Sequence, residues 1–302
     1  MKTFRGTAHL AILLTIAGPF CFSARAQEEP IFDFPDLPLI NQAIEALDKE
    51  QYDKSARLFV AFINETRTDR WSIYYFAAGC FAMQGKRDEA FHYLDGAIRR
   101  GFWYADYLET HDKFSALHTD KRWPRALAKC RAARARINFD LRKELLDLRS
   151  EDQQVRSRST GANTPPEVLA EWARVDLKTR TRLRQIIKQY GWPGISLVGF
   201  DGSVAAWLIA QHSVDDFEFQ KQCLRLMRAA VKNGEALKEN LAFIIDRVLV
   251  SEGKPQLYGT QFRYLDGKSV MSPVQNEADL DRRRKRMGLP SIEVYRKQME
   301  SH

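Results

Sequence analysis

The sequence is poor in the groups that most often announce chemistry. It holds four cysteines, at positions 21, 80, 130 and 223, and their spacing is not that of a metal site. There is no G-x-S-x-G elbow, no H-E-x-x-H pair and no glycine-rich phosphate loop, so the usual signatures of serine hydrolysis, zinc peptidases and nucleotide binding are missing. No stripe of aromatics interleaved with lysine argues for nucleic acid. Paired carboxylates for glycoside cleavage are not evident, and Asp176 and Asp246 are the two whose separation would bear on it. Beyond the first 26 residues no segment is apolar enough to span a membrane. No metal and no cofactor is implied.

What is present begins with an address. Lys2 and Arg5 make a charged start, "HLAILLTIAGPF" is an apolar run of twelve residues, and Ala24-Arg25-Ala26 is an A-x-A cleavage site. We read residues 1–26 as a secretory signal cut before Gln27; the alternative is an uncleaved anchor. Pro19-Phe20 ahead of Cys21 does not make a lipid-attachment site. The expected localisation is periplasmic or secreted, with no stable membrane insertion after cleavage. Taking 26 residues from 302 leaves 276, room for two domains. Loss of Lys2, Arg5 and Arg25 lowers the net charge from +8 to +5, a mild excess that does not argue for a nucleic-acid partner. Cys80, Cys130 and Cys223 remain. A Cys80–Cys130 disulfide is allowed in an oxidising compartment, whereas the apolar helix face that carries Cys80 favours a buried thiol.

We expect a mainly α protein: a helical domain at 27–134, then a second all-helical domain at 135–302 with a short β-hairpin or loop near 257–274. From Leu37 to Phe102 the periodicity is helical and repeats at about 35 residues. In "YYFAAGCFAMQGKRDEAFHYLDGAIRRGF" small residues (Ala78, Ala90, Ala97) alternate with Tyr74, Phe81 and Leu94, and Gln84-Gly85-Lys86 makes a turn. This resembles a tetratricopeptide repeat. Ala43, Ala46, Tyr52, Ser55, Phe59 and Phe62 fit the same template upstream. Two units bury too little alone, so Phe102, Trp103, Tyr107, Leu108, Phe114, Leu117 and Trp123 are expected to cap them. The repeats offer a surface for a protein or peptide partner, or serve only as a spacer.

In the second domain a charged helix is predicted from about Arg134 to Arg158. A second runs from Pro166 to Gln189 with Leu169, Trp172, Asp176, Leu183, Ile186 and Tyr190 on one stripe. A third is capped by Asp201 or Ser203, is apolar on all sides from Val204 to Ala210, and ends in Gln211-His212. The next is expected to bury Phe217, Leu224, Met227 and Val231, with Gln220 close by. The last runs apolar from Leu241 to Val250 except at Asp246 and Arg247. An unpaired charge in such a core costs several kcal/mol, so His212 and Asp246 must have partners or open onto a wet pocket. The polar pairs of the two helices are expected to face one another. The bend "EGKPQLYGTQFRY" would then add Gln256, Tyr258, Thr260 and Gln261 to the same pocket. The alternative is that Asp246 pairs with an arginine and His212 caps a helix. The run "DRRRKRMGLP" reads as a solvated helix, or else as a site for an acidic polymer or membrane surface.

"GWPGISLVG", "AAWLIAQH", Phe219-Gln220, "DRVLVSEGKPQLYGTQ" and "RRKRMGLPSIEVY", in that order, resemble the bacterial family known as domain of unknown function 6624, over about residues 140–300. The resemblance implies a mainly helical domain, commonly secreted or joined to helical repeats, and carries no activity. It marks Trp192, Gln211, His212, Gln220, Asp246, Arg247, Gln256, Tyr258, Gly259, Thr260 and Gln261 as places to look. Three functions stand open. One is an exported binding protein that holds a small polar ligand in the second domain. Another is a hydrolase acting on envelope material, with His212 as base, Asp246 orienting it, and Arg247 or the 258–261 amides stabilising an oxyanion. The third is a helical scaffold.

Overall fold

The computed structural model describes residues 30, 32, 37–158, 164–265 and 268–300. The expected signal segment, the centre of the expected loop at Gly161 and the expected turn at Asp266-Gly267 fall outside these. The chain is mainly α with one short antiparallel ribbon, and divides into two units between Ile137 and Asn138. Among the described residues no helix is long and apolar enough to cross a membrane.

In the first unit α1 (Pro38–Asp48) pairs with α2 (Tyr52–Thr66), and α3 (Trp71–Met83) with α4 (Arg87–Arg99). Ala43, Ala78, Ala90 and Ala97 are wholly buried, because only a methyl group lets two helices approach this closely. Gly85 turns the chain between α3 and α4 with φ +72°, a conformation that costs a residue with a Cβ about 1 kcal/mol or more. α5 (Ala105–Thr110), a 3₁₀ turn (Asp112–Leu117) and α6 (Trp123–Arg134) follow. They bury Leu108, Phe114, Leu117 and Trp123. The aromatic face of α3 is covered by the chain's own Phe32, whose ring lies 4.8 Å from Phe76 and 5.5 Å from Trp71 and Tyr75. Cys80 and Cys130 are buried free thiols, and burial pushes the Cys130 thiol up to about 12.

The second unit opens with α7 (Phe139–Ser157), which starts later than predicted because the Asn138 side chain caps it, accepting from the Leu141 N–H at 3.0 Å. α8 (Pro166–Tyr190) stops at Gly191 (φ +74°). Its expected stripe holds at Asp176, Leu183 and Ile186, but Leu169 and Tyr190 are 50% and 41% exposed, since the helix overruns its neighbours at both ends. α9 (Ile195–His212) begins six residues before Asp201 and is broken at Gly199 (φ 73°, ψ 170°). Asp201 forms a bidentate pair with Arg142 (2.9 and 2.7 Å) just past that break. α10 (Phe217–Lys232) buries Phe219, Cys223, Met227 and Ala230; Phe217, Leu224 and Val231 are only partly covered, so its core face is rotated from the predicted one. α11 (Lys238–Ser251) sends Leu241, Ile244 and Ile245 into the core that Leu145 of α7, Ile186 of α8 and Ala205–Ala210 of α9 share. β1 (Phe262–Leu265) and β2 (Lys268–Met271) pair in the register Phe262–Met271 to Leu265–Lys268. α12 (Leu280–Arg286) and α13 (Ile292–Glu300) close the unit.

Candidate functional site

The bend after α11 is built around one carboxylate. Asp246, wholly buried, accepts from the backbone N–H of Leu257 (2.7 Å), Tyr258 (3.0 Å) and Thr260 (3.0 Å), and from the Thr260 hydroxyl (2.9 Å). Burial pushes its carboxyl up, against the pull of these donors. Gln256 closes the bend on itself: its amide donates to the carbonyls of Gln261 (3.0 Å) and Ser272 (2.8 Å), and its oxygen accepts from the Gln261 N–H (2.8 Å). Gly259 takes a left-handed conformation (φ +65°) that strains a residue with a side chain, and a Cβ there would press on Ile292 Cδ1 at 3.0 Å and Met271 Sδ at 3.1 Å.

From the other side the bend is held by the arginine run. Arg283 Nε donates to the Leu257 carbonyl (2.7 Å), and Arg284, wholly buried, donates to the carbonyls of Tyr258 and Pro290. The solvated helix expected there is therefore half a clamp. A guanidinium satisfies several carbonyls at once, which compensates for leaving water.

Asp246 does not orient His212. The imidazole at the end of α9 is held by Asp152 of α7, whose Oδ2 and Oδ1 lie 2.8 and 3.0 Å from Nδ1. Asp152 is wholly buried, while the His212 side chain keeps 21% exposure. A carboxylate facing Nδ1 fixes the proton there. Arg156 Nε, near both Nδ1 (2.9 Å) and Asp152 Oδ1 (3.1 Å), then gives its hydrogen to the carboxylate. Among the described residues nothing bonds Nε2, and His212 lines a recess of about 430 Å³. Burial first, and the charges of Arg156 and Arg247, hold the His212 pKa below its ordinary value despite Asp152. Burial pushes Asp152 up, but the hydrogen bond and charge of His212 and the Arg156 charge outweigh it and hold the carboxyl low.

The same Arg156 reaches Asp176 of α8 (Nη2 to Oδ1, 2.5 Å) and stacks on Trp172, 4.4 Å from the ring centroid. Burial, with Asp152 and Asp215 nearby, raises Asp176 to about 6 against the Arg156 charge. On the α11 side Gln211, its carboxamide oxygen turned to the guanidinium, accepts from Arg247 Nε (2.7 Å) and Nη2 (3.1 Å). Burial and Arg156 bring Arg247 down to about 10.

Of the residues singled out in the sequence, the recess brings together His212, Gln211, Arg247, Thr260 and Gln261. Asp246 and Gln256 serve the bend from inside. Gln220 bonds the carbonyls of Ala210 and Gln211 (3.3 and 3.2 Å), and Trp192 and Tyr258 pack on the core. Asp152 and Arg156 escaped notice because α7 is dense with charges that look alike; Asp176 had signalled itself as a carboxylate within an apolar stripe. Among the described residues no three His, Cys, Asp or Glu side chains could hold a metal ion. A larger hollow of about 660 Å³, between α7 and α8, is lined by part-exposed ion pairs such as Lys178–Glu151 and holds none of these groups.

Residues 139–302, more than half of the chain, match the family of unknown function DUF6624. The chain belongs to that family. Residues 36–137 match an A/B hydrolase-like N-terminal domain, and the paired helices there fit a tetratricopeptide repeat only loosely. No curated protein matches the chain, and no solved structure does. The DUF6624 match thus spans the unit that holds both the recess and the clamped bend.

Proposed function

We propose that the DUF6624 unit is a hydrolytic site that activates water, with His212 as general base, Asp152 orienting it and Asp176 as proton donor. The observation that carries this is the imidazole itself: Nδ1 is held by a wholly buried carboxylate, Nε2 bonds nothing among the described residues, and the ring lines a recess of small-molecule size. The match of residues 36–137 to an A/B hydrolase-like N-terminal domain supports the same reaction class. Binding without turnover is the second reading. It is favoured by the scarcity of hydroxyl and thiol nucleophiles: among the described residues Thr260 is the one hydroxyl residue that lines the recess, and it donates to Asp246.

Purified protein is expected to hydrolyse at least one of p-nitrophenyl acetate, p-nitrophenyl phosphate or peptidoglycan fragments. His212→Asn should remove that turnover. The base works when deprotonated, so the rate rises with pH through the lowered His212 pKa. The acid works when protonated, so the rate falls as pH passes about 6. Asp176→Asn removes this alkaline limb. Turnover unchanged in His212→Asn would refute the hydrolase, and a recess ligand bound but never turned over would leave the binding reading.

Export is part of the same proposal, supported by the charged start, the short apolar run and the A-x-A site. Protein recovered from the periplasm or medium should begin Gln27-Glu28-Glu29 on N-terminal sequencing. A cytoplasmic chain beginning at Met1 would sink this part.

A further inference from the structure

The recess is lined by a cation, Arg247, that no carboxylate pairs with among the described residues. We infer that Arg247 receives an oxyanion, the carboxylate or phosphate of the molecule that occupies the recess. This rests on the recess being a ligand site, as proposed above, and adds the charge of what it takes.

The buried carboxylates nearby are already engaged. Asp246 precedes Arg247 in sequence, but successive residues on a helix point about 100° apart, and both Asp246 oxygens accept from the bend. Asp152 serves His212 and Arg156, and Asp176 serves Arg156. Among the described residues no carboxylate lies within ion-pair distance of Arg247. Its hydrogen-bond partner is the neutral oxygen of Gln211, and the neighbouring charge that acts on it most is that of Arg156, another cation.

Guanidinium groups drawn out of water are ordinarily paired with anions. Gln211 occupies Nε and one hydrogen of Nη2. That leaves three N–H donors of the five, two on Nη1 and one on Nη2, which form the end-on fork that fits two oxygens of one anion. Arg247, Gln261 and His212 line the same recess. An anion on the fork therefore lies in the hollow that the base faces, and Arg247 would bind the substrate through its charge, apart from the proton transfers.

The test uses the mature chain titrated separately with sodium phosphate and sodium acetate, at constant ionic strength in sodium chloride, read by calorimetry and thermal shift. At least one anion should bind saturably, and Arg247→Gln should weaken it by about tenfold or more. Preference for phosphate assigns a phosphorylated ligand, and preference for acetate a carboxylate. Should the variant fail to fold, the wild-type protein gives a second measurement: the bound anion should protect Arg247 from phenylglyoxal, read by peptide mass. The inference is overturned if neither anion binds the wild type, if Arg247→Gln binds as tightly, or if labelling of Arg247 is indifferent to the anion. None of these readouts needs turnover. A protein that binds the anion and hydrolyses nothing refutes the hydrolase alone, and one that hydrolyses neutral esters without an anion site refutes this inference alone.

Discussion

Asp152→Asn is expected to cut turnover by about 10²–10⁴-fold, as much as the loss of His212 itself. The substitution barely changes volume, so its effect isolates charge and hydrogen-bond polarity. With a carboxylate, Nδ1 keeps its proton, Nε2 keeps its lone pair, and the imidazolium formed on proton abstraction has a counter-charge 2.8 Å away. With an amide the counter-charge is gone, and an NH₂ group faces either Nδ1 or the Arg156 guanidinium, both of which want an acceptor. A readout independent of substrate is the His212 pKa followed by NMR. Asp152 raises that pKa against burial, so it should fall further below its ordinary value in the variant. Because the two residues act as one unit, Asp152→Asn/His212→Asn should be no slower than either single change. A variant within about threefold of wild type, or an unmoved imidazole titration, would show that Asp152 serves only the fold.

The second large effect is on stability. Asp246→Ala is expected to cost about 3–5 kcal/mol, a large share of the roughly 5–15 kcal/mol that keeps a domain folded. Three backbone N–H groups and the Thr260 hydroxyl lose their acceptor in a site closed to water. Asp246→Asn should fall between the two, since one oxygen still accepts while the NH₂ meets donors. Urea unfolding gives the magnitude, and hydrogen exchange gives the place: the amides of Leu257, Tyr258 and Thr260 should lose protection before those of α9. The recess should loosen with them, because Thr260 and Gln261 are part of its wall. A cost under about 1 kcal/mol, or exchange that rises evenly over the unit, would mean that the clamp of Arg283 and Arg284 holds the bend without Asp246.

What could be read along the chain was local. The periodicity of α8, its stop at Gly191, the paired helices before residue 135 and the polar residues set in α9 and α11 each follow from a few neighbouring side chains. The need for partners at His212 and Asp246 was legible too, because burying a charge is costly wherever it occurs.

Which partner each residue takes was decided by tertiary structure alone. His212 meets Asp152 across sixty positions, and nothing distinguishes that aspartate from the other charges on α7 until the helices pack. The assignment of Asp246 turned on rotation. A helix with one polar face reveals its phase, but α11 is apolar on nearly every side, so the pattern leaves undetermined whether Asp246 or Arg247 points at the recess. Packing sets that rotation, and the 100° between adjacent side chains then sends the acid into the bend and the arginine to the wall of the recess.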